Sequence, residues 1–178
     1  MLNFKIISKE FSDLLGNPST ISKLKIFLEV VRVFNRNKII PVLYGSLGLY
    51  RAIDELERKV NDIDILLPDE FLTEKWNQLL NIMNDLNFVL KDKYEHEFIR
   101  DREIVAFGKV RDLVKLGKID FEELKISEKD NAKFRELSPE QYLNCYKFML
   151  RDTYRQEKRG NADKEKIALI EKYLKDNS

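Results

Sequence analysis

Asp62-Ile63-Asp64 sets two carboxylates two positions apart in an apolar run that continues to Leu67. Side chains alternate along a strand, so both acids project from one face while Ile63 and Ile65 take the other. Like charges that close repel, and a divalent cation between them relieves the repulsion; hard oxygen ligands select Mg2+ or Mn2+. The alternative is a solvated strand face opposite a buried one. Upstream, the short apolar strand Val42-Leu43-Tyr44 runs into Gly45-Ser46 and then a helix-like segment. Glycine lets bare backbone N–H groups approach a phosphate, and a helix N-terminus adds a favourable field. The Ser46 hydroxyl suits a terminal phosphate oxygen, and equally a helix cap. A phosphate cradle beside paired carboxylates implies nucleotide chemistry.

The pattern Gly45-Ser46 … Asp62-Ile63-Asp64 resembles the signature of the nucleotidyltransferase superfamily. That superfamily includes antibiotic-modifying enzymes of the kanamycin and lincosamide types and small antitoxin-like members. Fifteen residues separate Ser46 from Asp62, a long spacing that suits the lincosamide-like branch. The resemblance covers residues 38 to 68 closely and the rest of the chain in outline. It implies an α/β (α+β) fold, a small mixed sheet flanked by helices. It also implies a magnesium-dependent transfer of a nucleoside monophosphate from a triphosphate, ATP as first choice, to a hydroxyl of a small molecule. Asp62 and Asp64 would be catalytic metal ligands, with Gly45 and Ser46 binding nucleotide. In such sites two metals bridge carboxylates and triphosphate, and one lowers the pKa of the attacking hydroxyl. The antitoxin-like members imply a protein partner as the alternative acceptor.

The chain departs from the family at a third carboxylate, expected in a later apolar strand. Ile104 to Gly108 is that strand, with Ala106 or Phe107 where an acid would sit. Glu97, aligned by alternation with Glu95 and Ile99, is the best-placed substitute, ahead of Glu95, Asp101 and Asp120. If none serves, the chain is a degenerate member that binds nucleotide or a protein without chemistry. Arg51, one and a half turns after Ser46, has the reach for phosphate. Arg155 and Lys158 do so too if their helix end lies over the triphosphate; the alternative is a solvated helix end where cations complement the dipole. His96, beside two glutamates, reads as an ordinary surface residue, and Cys145, among Tyr142, Tyr146 and Phe148, as buried packing.

These groups need a scaffold. Residues 4 to 15 read as a short helix, and Ser19 or Thr20 caps a longer one with Leu24, Phe27, Leu28, Val31 and Phe34 inward. Residues 39 to 44 and 63 to 67 read as strands around a helix over 47 to 57, and residues 69 to 86 as another helix. Three short strands follow between Phe88 and Val110. Residues 111 to 136 carry mixed periodicity. Ser138-Pro139-Glu140-Gln141 is a helix start, predicting a helix to about residue 158, a break near Gly160-Asn161, and a last helix to about 175. The expected architecture is a sheet with helices on one side, a core over residues 1–136 and a helical extension over 137–178 in one globular unit.

Composition narrows the class. The chain has 178 residues, and its 32 Lys and Arg balance 31 Asp and Glu, which argues against a nucleic-acid partner. One cysteine and one histidine exclude an internal disulfide, a cysteine-based zinc site and a multi-histidine metal site. No apolar run reaches the roughly 18 residues that span a bilayer, and no signal-peptide pattern opens the chain. A cytoplasmic protein is expected.

Overall fold

A computed structural model describes residues 16–178, apart from the side chains of residues 153–155 and 158. The helix expected over residues 4–15 lies outside them. Helix α1 (Pro18–Arg36) buries Leu24, Phe27, Leu28, Val31 and Phe34, the stripe its period dictates. Its cap is Asn17 rather than Ser19 or Thr20, because proline fits the first helical position. That leaves the Thr20 hydroxyl free to donate to the Arg58 carbonyl at 2.7 Å and accept from the Val60 N–H at 3.2 Å. The loop leading to Asp62 is thereby fastened to α1.

Among the described residues seven strands form one mixed sheet: β1 (Val42–Tyr44), β2 (Ile63–Leu67), β3 (Val89–Asp92), β4 (Glu97–Arg100), β5 (Glu103–Lys109), β6 (Lys125–Lys129) and β7 (Ala132–Glu136). Their spatial order is β3-β4-β5-β2-β1-β7-β6. Strand β2 runs antiparallel to β1 and parallel to β5, and β1 runs parallel to β7. Two hairpins close through two-residue turns with positive φ at both positions, Asp101-Arg102 and Asp130-Asn131. This turn geometry matches the right-handed strand twist.

Helices cover both faces, not one. Leu43, Ile63, Ile65, Phe98, Val105 and Phe134 pack toward α1 and α3 (Trp76–Asp85). On the opposite face Val42 and Leu66 join Leu113 of α4 (Asp112–Gly117), Tyr142 and Cys145 of α5 (Pro139–Met149) and Ile170 of α6 (Thr153–Asp176). A central strand sandwiched this way is buried on both sides, which explains why β2 reads as nearly continuous apolar sequence. Asp64 interrupts that run on the α4–α6 face.

The C-terminal helices break elsewhere than expected. Helix α5 opens on a capping box at Ser138 and Gln141 and ends at Met149. The chain turns at residues 150–152, and α6 then runs unbroken through Gly160-Asn161. An interior glycine costs a helix only about 1 kcal/mol; Gly160 is buried, and packing of α6 on α5 outweighs that cost. Among the described residues no helix is long and apolar enough to cross a membrane.

Candidate functional site

Tyr44, Asp64, Ala106 and Glu97 are successive cross-strand neighbours on β1, β2, β5 and β4. Residues in register share a face, so these four form one row across the sheet. Helix α2 (Gly45–Ala52) leaves β1 at the end of that row. Gly45 has φ +63°, and a Cβ there would overlap Oδ2 of Asp64. The Asp64 carboxylate therefore lies directly on the turn, a contact only glycine permits. Burial, then the neighbouring Asp62 charge, pushes the Asp64 carboxyl up to about 6; Lys166 and Arg159 pull the other way, and Glu97 adds to the rise.

Ser46 and Asp62 both line a polar cleft of about 580 Å³, within the range typical of small-molecule sites. Lys59, Arg159, Asp163 and Lys166 share its wall. Arg159, Asp163 and Lys166 fall at i, i+4 and i+7 of α6, so one helix face presents all three. Lys166 donates to the Ser46 hydroxyl at 2.9 Å and lies 5.1 Å over the Tyr146 ring. Ser46 does not act as a side-chain cap: the N-cap of α2 is Tyr44, with no capping side chain among the described residues.

Not every expected residue arrives here. Arg51 is a correction: its guanidinium is buried, donates to Glu136 on β7 at 2.7 Å and sits 5.8 Å from the Phe134 ring centroid. The ion pair holds it inside the molecule, and it is not among the described lining of the cleft. The side chains of Arg155 and Lys158 lie outside the described residues. Glu97 shares the row with Asp64, one strand beyond Ala106, and is ion-paired to Lys91. Asp120 accepts from the Glu122 N–H to cap a short 3-10 turn, a structural task. His96 is half-buried, 5.4 Å from the Trp76 ring, and burial lowers its pKa. Cys145 is buried, and its thiol is pushed up to about 11.

Lys166, Arg159, Asp163 and Lys59 were not anticipated. The stripe on α6 is readable as i, i+4, i+7 spacing, but only if the helix continues through Gly160-Asn161. Lys59 sits in a loop with no periodicity to mark it.

Among the described residues no group of three or more His, Cys, Asp or Glu side chains is arranged to hold a metal ion. The carboxylates at hand are Asp62 and Asp64, and the Asp62 charge disfavours ionisation of Asp64. The pair fits Mg2+, which is commonly held by one or two carboxylates with substrate phosphates completing its shell.

No family model matches the chain. It is 35% identical over 150 residues to the uncharacterized protein YnaI of Bacillus subtilis strain 168, an alignment covering 84% of this chain and 96% of that protein. The chain belongs to the family of YnaI.

Proposed function

We propose that the protein is a magnesium-dependent nucleotidyltransferase that moves a nucleoside monophosphate from a triphosphate, ATP first among them, to a hydroxyl of a small molecule. The observation behind this reading is the contact between the Asp64 carboxylate and Gly45, with Asp62 and Ser46 sharing one polar cleft. Asp62 and Asp64 would hold Mg2+ or Mn2+, which when bound supplies Lewis-acid polarisation of the triphosphate. Ser46 and the first N–H groups of α2 face the terminal phosphates, where a helix N-terminus favours negative charge. Lys166 leaves the Ser46 hydroxyl for a phosphate oxygen, and Arg159 and Lys59 add charge-assisted contacts. The balanced net charge disfavours a polynucleotide acceptor. A cytoplasmic location belongs to the same reading.

The test combines nucleotide binding with transfer. Each of the four triphosphates at about 100 times its dissociation constant should raise stability by about 2.7 kcal/mol if it binds the folded state. Label in the α-phosphate should pass to an acceptor with magnesium present, and Asp62→Asn and Asp64→Asn should each lower transfer by about a thousandfold. Undiminished transfer in both variants would end the assignment.

One observation favours a second reading, a nucleotide-binding member without turnover. Ala106 stands between Asp64 and Glu97, where a third acid would complete the row, and Glu97 is engaged by Lys91. Nucleotide stabilisation without transfer, together with transfer gained in Ala106→Asp, marks that case. Label appearing instead on a protein in a cell extract marks the protein-modifying variant.

A further inference from the structure

A second cavity reaches the residue before the Gly45 turn. It has a volume of about 620 Å³, and its walls include Tyr44, Leu116, Phe148 and Met149. Tyr44 is the β1 partner of Asp64, so this pocket starts one strand from the carboxylate. It also starts two residues from Ser46, at most about 7 Å along the chain. The Tyr44 ring is held in place by stacking on buried Tyr142, with centroids 6.1 Å apart and an interplanar angle of 22°. Phe148 supplies a second ring, which carries the Arg151 guanidinium at 5.8 Å. Its charged lining consists of two acids, Asp112 and Asp152, and two bases, Lys115 and Arg151. A balanced rim gives no advantage to a charged guest, whereas the stacked Tyr44 ring and the Phe148 ring favour a flat one.

We propose that this pocket binds the acceptor, and that the acceptor is an uncharged hydroxylated aromatic molecule of one or two rings. The inference rests on the nucleotidyl-transfer reading, which places the triphosphate in the neighbouring polar cleft. The ring body lies against Tyr44 and Phe148, and its hydroxyl points past Tyr44 toward Asp64. The acceptor oxygen forms a bond to the α-phosphorus, and the bond from that phosphorus to the oxygen bridging to the β-phosphate breaks. Pyrophosphate leaves, and the hydroxyl proton passes to water.

The probe is 7-hydroxycoumarin, whose anisotropy reports binding without nucleotide or metal and whose fluorescence falls when its hydroxyl is substituted. The full chain should bind it. Leu116→Trp and Met149→Trp, which fill the pocket, should each weaken that binding at least about tenfold, roughly 1.4 kcal/mol. Affinity for ATP with magnesium should not change in either variant, and melting temperatures confirm that both fold. Wild-type protein given ATP and magnesium should quench the probe. Absence of probe binding up to about 1 mM, or binding indifferent to both tryptophans, overturns the acceptor pocket while ATP binding leaves the nucleotide reading standing. Failure of the wild-type chain to bind any triphosphate overturns the nucleotide reading, and the acceptor role with it.

Discussion

The polar cleft and the apolar pocket differ little in size, about 580 and 620 Å³, and are nearly opposite in chemistry. Residues two apart in sequence feed them, Tyr44 the pocket and Ser46 the cleft. Gly45 lies between these two residues in the chain: its left-handed backbone turns strand into helix and makes room for Asp64. The cleft takes its character from long charged side chains on α6, the pocket from the Tyr44 ring, stacked on buried Tyr142, and from half-buried Phe148. Charges act through field and tolerate some movement; rings act through shape and do not. Substitutions should therefore reach the two regions by different routes.

The largest effect should come from Asp62→Asn. Transfer falls by about a thousandfold, roughly 4 kcal/mol of barrier, while 7-hydroxycoumarin still binds the pocket; equal loss in both assays would mean the cavities are not independent. Next is Arg51→Met, which belongs to neither cavity. It takes the guanidinium from Glu136, whose side chain is only 12% exposed and keeps the Ser127 hydroxyl as a donor, and should cost about 3 kcal/mol in denaturant unfolding. Nucleotide affinity in the folded protein should stay as it was.

Asp64→Asn should separate stability from activity. The native carboxyl is raised from 3.8 to about 6, so the native state binds its proton more tightly than the unfolded chain. The stabilisation from that proton is complete below about pH 4 and is lost as pH rises through about 6. At pH 7.5 the ionised wild-type residue is a burden on the order of 2 kcal/mol, allowing for its partial exposure. The asparagine variant should melt higher than wild type at pH 7.5 and lose that advantage by pH 4, measured without metal. A lower melting temperature at pH 7.5 would contradict the buried, Asp62-facing position. Smallest is Lys166→Met, expected to raise KM for the triphosphate about tenfold, near 1.4 kcal/mol, leaving 7-hydroxycoumarin affinity alone.

Much of the scaffold was legible where one element carries its own signal. The α1 stripe, the Ser138 capping box and the alternation around Asp62 and Asp64 are local facts. The least legible stretch, residues 111–136, contains α4 and the β6–β7 hairpin. Asp130 and Asn131 tolerate the positive φ of that hairpin's turn, but β6 is short and largely exposed, which dilutes the hydrophobic alternation. Gly160-Asn161 carried a true local penalty and a false conclusion, because helix packing outweighs about 1 kcal/mol.

The amino-acid order alone determined the glycine turn, the strand that carries Asp64 and the helix between them, because dihedral preference and strand alternation act over a few residues. Only the tertiary structure decided their neighbours. It seats β7 beside β1 and β5 beside β2, joins Arg51 to Glu136 across 85 positions, and brings Lys166 to Ser46 across 120. Periodicity states which side of an element is buried. The identity of what covers it follows from the packing of the whole chain, where burial of apolar surface and pairing of enclosed charges are satisfied together.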